Sequence, residues 1–193
     1  KKLLIRSFFF KIMVNGNLLI ATPFIIGDVD FHRSVILITA SNKENVTGHI
    51  INKKINYDLN ELVTELNITI PLFYGGPVEN DRLFFIYKTS IKVPGSKKIS
   101  NNIYWCGDFN IIIENLNNKL MSPEDVMFFL GYSGWEKEQL NNELLNKNWK
   151  INEDSTSDYL FLKNTDTIWK DSIKSFGDEF ILWHNTPKNP NHN

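Results

Sequence analysis

Cysteine is almost absent from this sequence, since Cys106 is the only one in 193 residues. An internal disulfide is therefore impossible, and cysteine usage gives no sign of an oxidising compartment. A reactive thiol is also disfavoured, because the surrounding Tyr-Trp-Cys-Gly-Asp supplies an acid, Asp108, and no basic neighbour that would lower the thiol pKa. We interpret Cys106 as a small, buried, apolar side chain.

An excess of charge of one sign is lacking too. The chain carries 21 Lys and Arg against 22 Asp and Glu, which gives a formal net charge of −1. A protein whose main task is to neutralise phosphate groups usually has a basic surplus. The balanced composition therefore predicts no direct binding to nucleic acid.

Long hydrophobic runs are missing as well. No segment approaches the roughly 20 apolar residues of a membrane-spanning helix. In the N-terminal KKLLIRSFFFKIMV, Arg6 and Lys11 divide the apolar residues into runs too short for the core of a signal peptide. We therefore expect a cytoplasmic protein with no membrane partner. Residues 1–15 are interpreted as an N-terminal extension and residues 189–193 as a flexible tail.

Short strands and helices alternate irregularly over residues 16–188, with no linker or repeat between them, so a single domain is predicted. The irregular order favours an α+β fold, with a mixed sheet and several packed helices, over a doubly wound fold. Runs of β-branched and aromatic residues between turn residues predict strands at 17–22, 33–40, 46–52, 70–74, 82–88, 102–105 and 126–133. Apolar spacing predicts helices at 58–66, 109–118, 135–146 and 166–177.

Capping residues mark three of the helix or turn starts. Asp58 and Glu61 have the spacing of a capping box, and Asp108 precedes the second helix as an N-cap. Ser122 stands before Pro123, which suits the first position of a helix.

The segment GYSGW, residues 131–135, resembles the serine-bearing elbow of α/β-hydrolases. Ser133 would be the nucleophile, and Asp171 or Asp178 followed by His184 would complete the triad in the required order. However, Trp135 stands where the elbow needs a glycine for close packing of helix and strand. We therefore favour a structural interpretation of this segment over a hydrolase.

In that interpretation, GYSGW is a packed corner between a strand and the helix 135–146. Gly131 adopts a conformation that other residues avoid. Ser133 and Glu136 form a capping box, and Trp135 anchors the core. Three leucines then line the helix: Leu140, Leu144 and Leu145.

The segment YGGPV, residues 74–78, contains paired glycines whose backbone N–H groups could cradle an anion. It lacks the lysine and hydroxyl residue of a phosphate-binding loop, and Pro77 removes one donor. A turn between two strands is therefore favoured over an anion site.

Two histidine-containing patterns resemble metal or catalytic sites. Asp28, Asp30 and His32 occupy alternate positions and could converge on a metal, but such side chains beside a turn more often cap, pair with Arg33 or face water. His49 falls in a predicted strand, where a packed or solvated side chain is favoured over a catalytic one. We predict no metal and no cofactor.

Taken together and in this order, several segments resemble the AlgH/YqgE family of bacterial proteins over about residues 16–188. The segments that carry the resemblance are GNLLIATP (16–23), FHRSVILIT (31–39), GHIIN (48–52), YGGPV (74–78), GYSGW (131–135), QL (139–140), Trp149 and LF (160–161). The resemblance implies a cytosolic α+β domain with a mixed, partly barrel-like sheet, no cofactor and no agreed catalytic residues.

Members of that family are often described as transcriptional regulators, yet no DNA-reading motif is visible in this sequence. This chain also departs from the family pattern at three places. It has NKK at 52–54 in place of Asn-Lys-Pro, EKE at 136–138 in place of Gly-Pro-Gly, and Tyr87 in place of a common histidine. The second departure argues against an anion role for the GYSGW corner.

The sequence therefore predicts a non-enzymatic regulatory or binding protein that acts through an unidentified protein partner or a small ligand. The alternative is a small-ligand-binding or anion-binding domain, or a hydrolase-like enzyme, with a site where YGGPV, GYSGW and the Arg33–Ser34 turn converge. Candidate ligand-binding residues are Arg33, Ser34, Asn52, Gly75, Gly76, Ser133 and Trp135. A convergent pocket with perturbed titratable groups would favour the alternative. No catalytic residue is predicted.

Overall fold

The computed structural model describes residues 14–25, 27–89, 93–100, 102–153, 160–161 and 164–185. Residues 1–13 of the predicted extension and the predicted tail lie outside this part of the chain. The described strands are β1 Leu18–Ala21, β2 Val35–Ser41, β3 Asn45–Ile50, β4 Lys54–Asp58, β5 Pro71–Tyr74, β6 Val78–Lys88, β7 Lys97–Ser100, β8 Ile103–Trp105, β9 Val126–Glu136 and β10 Trp149–Asn152. The described helices are α1 Leu59–Leu62, α2 Phe109–Asn117, α3 Lys137–Leu145, α4 Ile168–Lys174 and α5 Ile181–Asn185, with 3₁₀ turns at Pro123–Asp125 and Asp178–Phe180.

One long strand, β9, belongs to two halves of the sheet. Its C-terminal part pairs with β3, continuing the antiparallel order β10-β1-β2-β3-β9. Its N-terminal part lies between β5, which is parallel to it, and β6, which is antiparallel and leads on to β8 and β7. The α+β class and the mixed sheet are therefore confirmed. Within the described residues, the sheet is open between β10 and β7 and does not close into a barrel.

A glycine marks the point where β9 passes from one half of the sheet to the other. Gly131 has a φ of +71°, a region that favours glycine. A Cβ atom at this position would lie 2.5 Å from the carbonyl oxygen of Gly76. The prediction that Gly131 takes an unusual conformation is confirmed.

The sheet is buried on both faces, which explains the continuous apolar runs of β1 and β2. On one face, alternate residues of β1 and β2 pack with α4, whose buried side chains include Trp169 and Ile173. The other face of β1 and β2 packs with α3 and with Trp135 and Trp149. A third cluster lies between α2 and the N-terminal part of β9.

Local capping explains how α1 and α2 begin. The Asp58 backbone N–H donates to the Glu61 carboxylate at 2.8 Å, and the predicted capping box is present. Asp108 Oδ1 accepts from the N–H groups of Asn110 and Ile111, which confirms it as the N-cap of α2. Ser122 likewise accepts from Glu124 N–H at the start of a 3₁₀ turn.

Helix α1 is shorter than the predicted 58–66 and ends at Leu62. In the segment that follows, Leu66 N–H donates to the Val63 carbonyl in a turn, and the backbone also bonds to α2. The Asn117 side chain accepts from Asn67 N–H at 2.9 Å and donates to the Glu65 carbonyl at 2.7 Å. These bonds to a distant side chain replace the helical bonds that the local pattern predicted.

The predicted corner at GYSGW is wrong. β9 continues as a strand to Glu136, and α3 begins at Lys137 without a side-chain cap, so Ser133 and Glu136 form no capping box. The cause is long-range pairing, because Ser133, Gly134 and Trp135 lie opposite Gly48, Thr47 and Val46 of β3. Leu140 and Leu144 are buried as predicted, whereas Leu145 is 56% exposed.

Candidate functional site

The loop that joins β1 to β2, residues 22–34, forms one wall of the main candidate site. Asp28 orders this loop with both its side chain and its backbone. Its Oδ1 accepts from Phe31 N–H at 3.0 Å, and its carbonyl accepts from His32 N–H at 3.0 Å. Arg33 ends the turn with a φ of +53°, an uncommon conformation for a residue with a side chain.

Two residues after β3 hold this loop in place. Asn52 Oδ1 accepts from Val35 N–H at 2.8 Å, while its Nδ2 donates to the Arg33 carbonyl at 2.9 Å. Lys53 Nζ donates to the carbonyls of Val29 and Asp30 at 2.9 and 2.6 Å. The loop is therefore pre-ordered by side chains from the β3–β4 junction.

A tyrosine on β5 makes a further contact with the loop. The Tyr74 hydroxyl donates to Asp30 Oδ1 at 2.9 Å. Burial, followed by this hydrogen bond and the charges of Asp30 and Asp28, raises the pKa of Tyr74 to about 12. Tyr74 thus stays protonated and acts as a donor to the loop.

Between this loop and the β3–β4 junction lies a cavity of about 590 Å³, here called the loop pocket. This volume is in the range of small-molecule sites. Its charged lining comprises Arg33, Lys53, Lys54, Asp28 and Asp166, with His32 beside them. Three cations against two carboxylates leave an excess of one positive charge.

The pKa of His32 reflects both its burial and the positive charges of the loop pocket. Burial, then the positive charges of Arg33 and Lys53, lowers the pKa of His32 below its usual value. The Arg33 guanidinium lies 4.9 Å from the centre of the Trp169 ring, whose indole N–H donates to the Ala21 carbonyl at 2.7 Å. The ring thus supports the guanidinium beside the cavity.

The candidate residues from the sequence divide into three groups. Arg33 and Asn52 line the loop pocket, and buried Ser34 lies next to it, with its hydroxyl donating to the Phe31 carbonyl at 2.9 Å. Lys53 and Lys54 also line the pocket and are not among the candidates that the sequence predicts, although they belong to the NKK segment that departs from the family pattern. Nothing local distinguishes them from surface lysines.

Gly75, Gly76 and Ser133 form the second group, in the interior of the sheet. Ser133 is fully buried, and its hydroxyl donates to the Gly75 carbonyl at 3.1 Å. The glycines allow β5 to approach β9 closely, since a Cβ on Gly75 would collide with the Gly131 carbonyl and one on Gly76 with Ser133 Oγ. These residues pack strands together, and Ser133 does not occupy an exposed elbow.

Trp135 belongs to a third group, an aromatic cluster with Phe31 and Trp149. The Phe31 ring stacks on Trp135 with centroids 5.5 Å apart and meets Trp149 edge-on at the same distance. Both indole N–H groups donate to Glu143 Oε2, Trp135 at 3.1 Å and Trp149 at 2.7 Å. The predicted anchoring role of Trp135 is confirmed.

His49 is packed inside the protein, as predicted. Its Nδ1 lies 3.1 Å from the Gly131 carbonyl, and its Nε2 lies 3.1 Å from the Trp105 indole nitrogen. A carbonyl accepts only and an indole N–H donates only, so Nδ1 carries the proton and Nε2 accepts. Burial lowers the pKa of His49 to about 4, against a smaller opposing effect of the Gly131 hydrogen bond.

Asp28, Asp30 and His32 do not converge as metal ligands. Asp28 caps the loop and Asp30 accepts from Tyr74, as described above. Within the described ranges, no group of three or more His, Cys, Asp or Glu side chains is arranged to hold a metal ion.

Cys106 is half-buried, and burial raises the pKa of its thiol, with smaller opposing effects of a backbone hydrogen bond and of Lys97. The structure thus agrees with an unreactive thiol. No helix in the part of the chain that the structure describes is long and apolar enough to cross a membrane.

The fold and the sequence together define an AlgH-like protein. A family model described as AlgH-like matches residues 18–181. The chain therefore belongs to this family, as the resemblance predicted. It is 35% identical over 197 residues to a UPF0301 protein of Bacteroides thetaiotaomicron, covering 98% of this chain and 99% of that protein. It is also 35% identical over 180 residues to a UPF0301 protein of Parabacteroides distasonis, covering 92% and 90%.

Two solved structures share the fold. The AlgH protein from Pseudomonas aeruginosa superposes with a TM-score of 0.67 at 21% identity, covering 91% of this chain and 95% of that chain. A Corynebacterium diphtheriae protein superposes with a TM-score of 0.72 at 18% identity, covering 91% and 93%. At this level of identity the likeness establishes the fold alone.

Proposed function

We propose that this protein is a non-enzymatic, cytoplasmic regulatory protein that binds a small anion, with a carboxylate or phosphate group, in the loop pocket. The observation that carries the proposal is the convergence of Arg33, Lys53 and Lys54 on one concave surface. The proposal combines the non-enzymatic regulatory role favoured by the sequence with the anion-binding alternative. It keeps the Arg33–Ser34 turn in the site and puts the β3–β4 junction in place of YGGPV and GYSGW.

The three cations have different roles in this proposal. Lys53 is already bonded to the loop, and Arg33 is stacked on Trp169, so both supply a fixed positive field. Lys54 is exposed, and within the described ranges its ammonium group has no hydrogen-bond or ion-pair partner. It is therefore the residue available to meet the anion directly.

A binding role suits the chemistry of the lining better than catalysis. Among the described residues that line the loop pocket there is no serine, threonine, cysteine or tyrosine. A nucleophile paired with a base, which acyl-transfer enzymes need, is thus missing from these residues. Asn52 and His32 provide neutral hydrogen-bonding groups that could orient a bound anion.

The test is a thermal-stability titration with inorganic phosphate, citrate and ATP, each matched in ionic strength with potassium chloride. At a hundred times its dissociation constant, a ligand adds about 2.7 kcal/mol of stability. For a chain of this size, that corresponds to a rise of about 5–11 °C in melting temperature. We expect a saturable rise with at least one of these anions and none with chloride.

Lys54→Gln should weaken that binding at least tenfold, because it removes the lining cation that has no partner among the described residues. Lys43→Gln is the matched control. Lys43 is exposed on the β2–β3 turn, so this substitution makes the same change of charge outside the pocket. The proposal fails if none of the three anions gives a saturable rise, or if both variants bind as the parent does.

A further inference from the structure

A second cavity, of about 290 Å³, borders the same loop and shares Asp28 with the loop pocket. Its described lining carries negative charge, whereas the loop pocket has an excess of positive charge. Two carboxylates, Asp28 and Glu143, and three aromatic rings, Phe24, Phe31 and Trp149, line it. No lysine, arginine or histidine is among the described residues of its lining. We call it the aromatic pocket.

The Glu143 carboxylate is fixed by neutral donors. Its Oε2 accepts from the indole N–H groups of Trp135 and Trp149, and its Oε1 accepts from Gln139 Nε2 at 2.9 Å. No described Lys or Arg forms an ion pair with it. The carboxylate is therefore held in one orientation by hydrogen bonds, and no cation among the described residues forms an ion pair with it.

The aromatic rings beside Glu143 supply the second half of a cation site. Phe24 is 56% exposed, and half-buried Phe31 is held by its contacts with Trp135 and Trp149. The faces of such rings carry negative charge density, which attracts organic cations. Asp28 adds a second carboxylate whose position is set by its bond to Phe31 N–H.

These features distinguish an organic cation from other ligands. An anion would meet two carboxylates and no cation among the described lining residues, and a neutral apolar ligand would gain nothing from the two carboxylates. A hard metal ion would find two carboxylates whose oxygens already accept hydrogen bonds in part. The other side-chain oxygen ligands among the described lining residues are the amides of Gln139 and Asn148, next to rings that offer none. An ammonium group with an alkyl body satisfies both the carboxylates and the rings.

We propose that the aromatic pocket binds the ammonium group of an organic amine, either a methylated small molecule or a lysine side chain. The site does not rest on the anion proposal, because it uses Glu143 and the aromatic rings instead of the lysines of the loop pocket. Its ligand is recognised by charge and by ring contact together, so a neutral molecule of the same shape is a poor substitute.

The test uses nuclear magnetic resonance on the full chain, with the indole N–H signals of Trp135 and Trp149 as reporters at the site. Choline is the methylated probe, acetyl-lysine methylamide is the peptide probe, and 3,3-dimethylbutan-1-ol is the neutral isostere of choline. We expect saturable shifts of both indole signals with one or both amines. We expect none with the isostere or with potassium chloride at the same ionic strength.

Glu143→Gln keeps an acceptor for the two indoles and removes the charge, so amine affinity should fall at least tenfold. Glu138→Gln, an exposed site on the same helix and outside the lining, is the matched control and should bind as the parent does. If Glu143→Gln does not fold, Phe24→Ala replaces it, since exposed Phe24 contributes a ring to the site at little structural risk.

Each outcome decides the proposal. A preference for choline over acetyl-lysine methylamide identifies a small methylated amine as the ligand class, and the reverse identifies a lysine side chain. Absence of saturable shifts with both amines overturns the site. So does equal binding of the isostere, or unchanged amine affinity in the Glu143 and Phe24 variants. Lys54→Gln should leave amine binding unchanged, which separates this result from the test of the loop pocket.

Discussion

Trp105 donates its indole N–H to Nε2 of His49 across 3.1 Å, while Nδ1 of the same ring faces the Gly131 carbonyl. The imidazole thus joins β8 to the bend of β9 in its neutral form. A second proton would have to be added at Nε2, where the indole N–H already points. Burial and this geometry both disfavour the protonated imidazole, and the pKa of His49 is lowered to about 4.

The first prediction is a loss of stability in mild acid caused by His49. Because its folded pKa of about 4 lies below the ordinary value of 6.5, the unfolded chain binds the proton first as the pH falls. Its contribution to the free energy of unfolding is complete above about pH 6.5 and is lost progressively down to about pH 4. The slope is up to about 1.4 kcal/mol per pH unit.

Urea unfolding of the parent and of His49→Gln, from about pH 7 to about pH 4.5, measures this contribution. His49→Gln should be less stable at neutral pH and should show a shallower fall. His32→Gln is the control. The pKa of His32 is lowered too, but its side chain is exposed whereas His49 is buried, so this variant should keep more of the parent's slope than His49→Gln does. Parallel curves for the parent and His49→Gln would contradict the assignment.

The second prediction separates a cross-strand role of Ser133 from a helix-capping role. Ser133→Ala removes the hydrogen bond to the Gly75 carbonyl, which still accepts from Ile50 N–H at 3.0 Å. We expect a loss of about 0.5–1.5 kcal/mol in the free energy of unfolding. Glu136→Ala should change it by less than about 0.5 kcal/mol, since the exposed Glu136 side chain caps nothing. If both variants lose the same free energy of unfolding in denaturant experiments, the capping-box interpretation would be supported instead.

The third prediction concerns the close approach of β5 and β9. Gly75→Ala places a Cβ against the Gly131 backbone carbonyl, which cannot move without disturbing two strands. We expect a loss of more than about 3 kcal/mol, because overpacking at a backbone contact leaves no flexible neighbour to yield. Gly27→Ala is the comparison: Gly27 has a φ of +79° but open space around it, so only about 1–2 kcal/mol should be lost. Thermal unfolding of both variants gives the ranking, and a milder effect at Gly75 would be evidence against the close packing.

The fourth prediction is weak, non-selective DNA binding. The net charge of −1 supplies no general attraction for phosphates, and the positive excess in the loop pocket is one charge. Fluorescence anisotropy with several duplexes at physiological salt should give similar, weak binding for all of them. Sequence-selective, nanomolar binding by the purified protein would overturn both this prediction and the preference for a small anion.

The sequence predicted those parts of the fold that depend on neighbouring residues. Asp58 and Asp108 mark helix starts by short-range bonds, and the apolar runs of β1 and β2 reflect burial on both faces. The end of β9 could not be obtained in this way. Ser133 and Glu136 have the spacing of a capping box, but pairing with Val46–Gly48, far away in sequence, keeps the segment extended.

The candidate sites also combine residues that the sequence predicts with residues that it does not. Arg33 and Asn52 are predicted candidates that do line the loop pocket. They belong to FHRSVILIT and GHIIN, two of the segments that carry the family resemblance. Lys54 and Asp166 come to the pocket from separate parts of the chain, and neither has a local pattern that sets it apart. Glu143 likewise looks like a solvated helix residue until Trp135 and Trp149 are brought to it.

The shared strand β9 has a consequence for how the chain reaches this state during synthesis. β3, β5 and β6 all pair with a strand that is made later, since β9 begins at Val126. A nascent chain that ends before this residue therefore exposes three unpaired strand edges at once, and such edges recruit other chains. We expect nascent chains stalled before Val126 to bind chaperones and to resist folding, and release from chaperones to follow once α3 has left the ribosome.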